Sequence, residues 1–142
     1  MGKARDYIPA LKYGHKIMPE DIAGMIGLPH VGNIFYVDPT NGNDTANSGK
    51  AQNDALKTIT AAYAKTVSFH HDVVVIVPGG TAGTVETAAI DWANSYTHLI
   101  GSSAPVMFSN RARIGTSTAS LSPFFTVSGN GCIFSNFQIS SS

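Results

Sequence analysis

With 142 residues, no net formal charge and only 13% charged side chains, the chain is one domain long, and its surface is rich in Gly, Ser, Thr and Asn rather than charge. That balance argues against an electrostatic nucleic-acid binder. The lack of an 18-residue apolar run or a signal-peptide core argues against membrane insertion and Sec export.

Residues 1–33 read as an N-terminal arm. Met1-Gly2 is no myristoylation signal, because Asp6 stands where that motif needs Ser or Thr. Within Pro19–Gly27, proline at the first turn, acids behind it and a glycine at the end suit a two-turn helix with Ile22, Met25 and Ile26 on one face. So short a helix needs something to pack on. Two readings stand: the arm folds back on the helix and first strand of its own chain, or it lies extended on another protein. The second is preferred, with Lys3, Arg5, Tyr7, Ile8, Lys12, Tyr13, Ile22, Met25 and Ile26 as the docking residues.

Residues 34–142 form the main domain, organised around Ile34–Gly80. Ile34–Asp38 is β-branched and aromatic, a strand. Pro39–Asn53 is dense in Asn, Asp, Gly and Ser, a loop. A helix over about 55–69 is expected next, capped by Asp54, with Ile59, Ala62, Tyr63, Thr66 and Val67 on one face. Asp72–Val77 is an unbroken apolar run, as in a strand covered on both faces, and Pro78-Gly79-Gly80 stops it.

The series Tyr36-Val37-Asp38, Gly42-Asn43-Asp44, Asn47-Ser48-Gly49, Leu56-Lys57-Thr58-Ile59, Asp72–Val75 and Pro78-Gly79 resembles the opening of right-handed parallel β-helix proteins. These belong to the pectate-lyase-like superfamily and include many phage surface proteins. The resemblance covers about a third of the chain. It implies a mainly β fold: a short right-handed parallel β-helix (solenoid) with one capping α-helix, preceded by the arm. It specifies no function, because lyases, hydrolases, tailspikes, head fibres and decoration proteins share the fold.

Beyond Gly80, strands are expected at Thr84–Ile90, Thr97–Gly101, Ala112–Gly115, Phe124–Ser128 and Cys132–Ile139. The steps from Val73–Val77 to Thr97–Ile100, and from there to Phe124–Val127, are each about two dozen residues, consistent with stacked coils. Periodicity alone leaves an antiparallel sandwich equally open. Trp92 reads as a core anchor, and Phe124, Phe125, Phe134 and Phe137 as an aromatic stack. Cys132 reads as a buried, inert thiol. The last expected strand leaves an edge that further residues or a partner chain would cover, and the thin core suggests self-association, a homotrimer.

The search for chemistry finds little. From Trp92 to Ser142 there is no Asp or Glu, so the expected coil surface has no general acid, carboxylate base or hard-metal cage. Asp38, Thr40, Asn41, Asn43 and Asp44 fail the EF-hand spacing and read as Asx-turns. His70 and His71, being adjacent, point to opposite sides of an extended chain and make no zinc pair. His98 reads as a packed strand residue. No catalytic residue, metal or cofactor is expected. Trp92, Tyr96, Arg111 and Arg113 are candidate contacts for a glycan or a protein.

The expected function is a structural virion protein at the particle surface, a capsid decoration or head-fibre protein whose arm docks on the major capsid or another virion protein. The alternatives are a tail fibre or tailspike, the opening segment of a β-helix polysaccharide-degrading enzyme, and a carbohydrate-binding adhesin.

Overall fold

The structure, a computed structural model, describes residues 22, 24, 27, 31–79, 83–103, 112–118 and 121–140. It is mainly β. The described residues hold nine short strands: β1 (Ile34–Val37), β2 (Val73–Ile76), β3 (Thr84–Glu86), β4 (Ile90–Trp92), β5 (His98–Gly101), β6 (Arg113–Thr116), β7 (Phe125–Val127), β8 (Ile133–Ser135) and β9 (Gln138–Ser140). A 3-10 turn covers Gln52–Asp54, and helix α1 covers Ile59–Tyr63.

Every strand pairing is parallel. The first sheet has the order β1-β2-β5-β8, the second β3-β6-β9, and the third β4-β7. From β2 onward the chain therefore visits the three sheets in rotation and returns to each one strand further on. An antiparallel sandwich is excluded for these strands.

Register corrects the expected spacing. Val73 pairs with His98, 25 residues on, but His98 pairs with Ile133, 35 residues on. Phe125–Val127 is not the next strand after β5; it lies beside β4, with Ile90 opposite Phe125. The repeat is uneven because the connections between sheets differ in length. Two expected strands are each split in two: Thr84–Ile90 into β3 and the start of β4, and Cys132–Ile139 into β8 and β9, with Asn136 between them at φ 58°.

The core fills the space between the sheets. Phe35, Val37, Leu56, Ile59, Ala62, Val74, Ile76, Ile90, Trp92, Leu99, Ala112 and Ile114 form one buried cluster. A second cluster lies on the other face of the first sheet, where Tyr36, Val73, Val75 and Ile100 pack with Ile22 and Ala55. This explains the unbroken apolar run in β2: Val74 and Ile76 face one cluster, Val73 and Val75 the other.

Helix α1 is shorter than expected, and Asp54 does not cap it. Thr58 is the N-cap, its hydroxyl accepting from Ala61 N–H at 3.2 Å. Beyond Tyr63 the chain tightens, with Lys65 N–H donating to Ala62 O and Thr66 N–H to Tyr63 O. Thr66 and Val67 are β-branched and favour helix poorly. Ile59, Ala62 and Thr66 are buried, whereas Val67 is exposed.

The Asn/Asp-rich loop lies along β1 as a seal. Tyr36 N–H donates to Gly49 O at 2.7 Å, Leu56 N–H to Tyr36 O at 2.9 Å and Asp38 N–H to Leu56 O at 2.8 Å. The loop is held by its own carboxylates and amides. Asp38 Oδ1 accepts from the amides of Thr40 and Asn41, and Asn43 Oδ1 from those of Thr45 and Ala46, which are the expected Asx-turns. Gly42 has to be glycine, because a Cβ there would lie 2.1 Å from Leu56 O.

Candidate functional site

Among the described residues, each of the six carboxylates is engaged in holding the chain. Asp38 serves its own loop. Asp44 Oδ1 accepts from Lys57 N–H at 2.7 Å and Thr58 N–H at 3.1 Å, tying the loop to the start of α1. Asp54 accepts from the Ser48 amide and hydroxyl. Asp72, fully buried, accepts from Asn33 N–H at 2.6 Å and Val67 N–H at 2.8 Å, and contacts His70 Nδ1 at 2.6 Å. Glu86, buried on β3, accepts from Ile59 N–H at 2.7 Å and from the Thr60 amide and hydroxyl. Asp91 accepts from the Ser128 hydroxyl.

Glu86 and Asp72 were not singled out from the sequence. Burying a carboxylate is costly unless several donors meet it, and backbone amides at chain turns do so here. The signal for Glu86 was a lone acid inside a β-branched strand, which needs a partner if that strand is covered.

The expected contact residues separate. Trp92 is corrected: it is fully buried and offers nothing to a ligand. Its indole N–H donates to Thr97 Oγ1 at 2.7 Å, and its ring lies 4.5 Å from Tyr63, 6.1 Å from Phe125 and 5.5 Å from Phe134, centroid to centroid. That is the core role the sequence suggested first, and Phe125 and Phe134 supply half of the expected aromatic stack. Arg113 is half-buried on β6. Cys132 is half-buried rather than buried, its thiol 3.4 Å from Asn94 O.

Ile22 is also corrected. Assigned to a partner surface, it is fully buried in its own chain against the outer face of the first sheet. Val31 packs on the same cluster, and Gly32 N–H donates to His71 O at 2.9 Å. The end of the arm therefore belongs to the main domain. Lys3, Arg5, Tyr7, Ile8, Lys12, Tyr13, Met25, Ile26 and Arg111 lie outside the described residues.

The remaining contact residue, Tyr96, is 40% exposed and stands in an unusual setting. His71, Tyr96 and Gly131 each lie two residues ahead of a first-sheet strand, and all three have left-handed backbone, at φ 56°, 55° and 66°. They hold equivalent positions ahead of β2, β5 and β8, successive neighbours in the first sheet. Tyr96 N–H donates to Asn130 O, and its ring lies over Gly131, where a Cβ would come within 2.6 Å of the ring edge. Phe69 adds a further left-handed residue at φ 64° and is 73% exposed. Its amide donates to Ser95 O at 2.8 Å, and its ring centroid is 5.6 Å from that of Tyr96.

Beneath these rings lies a histidine pair. His98 is buried on β5, stacked on His71 at 5.5 Å. Ile133 N–H donates to His98 Nδ1 at 3.1 Å, which assigns the proton of the neutral ring to Nε2. That Nε2–H then donates to His71 Nδ1 at 3.2 Å. Burial, and after it the neighbouring His71, push the His98 imidazole down from 6.5 to about 4, in keeping with a ring held neutral. His70 and His71 take different partners, Asp72 and His98, but on a turn with His71 at φ 56° and not on the extended chain the sequence suggested.

No family model, curated protein or solved structure matches the chain. What the described residues offer is a sealed β1 end, carboxylates engaged in the scaffold and an exposed aromatic corner.

Proposed function

We propose that the chain is a structural module of a virion surface, built as a short right-handed parallel β-helix and attached through its N-terminal arm. The visiting of three parallel sheets in rotation supports the β-helix reading, since parallel neighbours need long crossovers that are overwhelmingly right-handed. The observation that carries the functional reading is the engagement of all six described carboxylates in fastening loops, strands and α1. Glycoside hydrolysis needs two carboxyl groups facing a substrate. Five of the six are held by backbone donors and are poorly placed for that work, which leaves exposed Asp91, bonded to the Ser128 hydroxyl, without a second free carboxylate among the described residues.

The burial of Ile22 moves the proposed docking segment forward. The residues left for a capsid or other virion partner are those ahead of it, with Lys3, Arg5, Tyr7, Ile8, Lys12 and Tyr13 as contacts. Self-association as a homotrimer remains part of the proposal, supported by apolar side chains exposed on the last circuit.

Electron imaging of particles assembled with the full chain, and with a chain lacking Met1–Met18, tests the arm. Density on the shell is expected with the full chain only, and equal occupancy by both would reject docking through this segment. Sedimentation of the isolated chain tests the trimer. Cleavage of a polysaccharide by the 142-residue chain would overturn the non-catalytic reading.

A further inference from the structure

We propose that the corner formed by Phe69, His71 and Tyr96 is a binding site for a neutral pyranose ring of a surface glycan. The inference does not depend on the virion reading.

Three observations carry it. Phe69 holds its backbone at φ 64°, outside the corner position shared by His71, Tyr96 and Gly131, in a region bulky side chains avoid, and such strain persists mainly where function uses it. The strain gains the fold little at Phe69, whose side chain is largely in solvent. Second, the exposed surface is aromatic. The two rings are inclined by 42° to each other with centroids 5.6 Å apart, and the His71 ring meets Tyr96 edge-on at 5.4 Å. This makes an apolar shelf against which the C–H face of a sugar can stack.

Third, the shelf has a fixed hydrogen-bond donor. The chain of bonds from Ile133 N–H through His98 to His71 Nδ1 leaves the His71 proton on Nε2, which has no partner among the described residues. A neutral imidazole locked in one tautomer is a donor suited to a sugar hydroxyl. The ionic groups close by do not alter this charge balance: Asp72 is buried and engaged by Asn33, Val67 and His70, and His98 is buried and neutral. An aromatic shelf beside an imidazole with a spare N–H fits a neutral ring with hydroxyls at its edge better than an ionic peptide or a phosphate.

The test is saturation-transfer NMR on the full chain at neutral pH, with the methyl glycosides of glucose, galactose, mannose and N-acetylglucosamine as probes. At least one probe should receive magnetisation at its ring C–H protons. The Tyr96 and His71 ring resonances should shift on titration while the Trp92 indole does not. Phe69→Ala should weaken binding about three- to tenfold, the scale of one lost aromatic contact. Phe69→Gly, which suits the left-handed backbone, should lose binding equally while melting no lower than the parent. No transfer to any of the four sugars would overturn the proposal. Undiminished binding by Phe69→Ala would do the same, as would a lower melting point for Phe69→Gly, which would make Phe69 a structural residue. If the sugars stay silent and Phe69→Ala instead weakens sedimentation-detected association between copies, the corner is a protein contact and the proposal fails.

Discussion

The two ends of the stacked sheets are built from similar strands and finished differently. At the β1 end the outward backbone of the first strand is taken up by residues 49–56, and the side chains beneath, Val37, Leu56 and Ile59, are fully buried. At the far end β7, β8 and β9 have no further strand beside them among the described residues. There Phe125, Phe134 and Phe137 are half-buried, and Val127 and Ile139 are 47% and 50% exposed. The contrast teaches that parallel strands do not finish themselves. The sealed end needs an irregular loop whose Asp and Asn side chains answer its own amides, and a helix laid over the opening.

The sharpest way to break the seal is Leu56→Ala. A fully buried leucine should cost about 2–5 kcal/mol in urea unfolding, because its neighbours are held by the loop and cannot collapse into the space. Phe134→Ala at the open end removes a larger ring, yet it should cost less than Leu56→Ala, since that ring is only half removed from water. A larger loss at Phe134 would mean that the two ends are equally closed in solution.

Acid should loosen the open end. His98 holds Ile133 of β8 through a neutral ring, and its folded pKa of about 4 lies below the unfolded 6.5. Between those values the unfolded chain binds the proton and the folded chain does not, so stability is full above about pH 6.5 and declines as pH falls toward 4. The loss from this group should be on the order of 2–3 kcal/mol. Unfolding free energy measured across that window should show the slope, and His98→Gln should flatten it.

A smaller effect is expected at the loop–helix tie. Asp44→Ala removes the acceptor for the Lys57 and Thr58 amides and should cost about 1 kcal/mol, with faster amide exchange at those two positions. The smallest belongs to the open end: Ile139→Ala should change unfolding by no more than about 0.5 kcal/mol, given its exposure.

The leading stretch was legible because each of its parts carries a local signature: β-branched strand, Asx-rich loop, short amphipathic helix, apolar strand. Later parts were harder for physical reasons. The corner at residues 87–89, Thr-Ala-Ala, has no turn-forming residue, so β3 and β4 read as one strand. The step between paired strands ranges from 25 residues (Val73 to His98) to 39 (Ile34 to Val73), so a constant repeat put β7 beside the wrong neighbour. The aromatic corner was half visible. Tyr96 was named as a contact, but Phe69 and His71 are poor turn formers, and nothing local predicts φ above zero for them. Trp92 was read both as core and as contact, and the hydrogen bond to Thr97 that lets an indole be wholly buried depends on a residue five positions away. Ile22 could not be placed from its own segment, because what buries it is the far face of β2.

The spacing of the ladders also bears on how the molecule comes to be folded. The nearest partners in any sheet, Val73 with His98 and Arg113 with Gln138, are 25 residues apart, and the rest are further. Among the described strands no hairpin offers a quick local start, so a long stretch of backbone must lose its freedom before the first ladder bond rewards it. Refolding should therefore take milliseconds to seconds rather than microseconds.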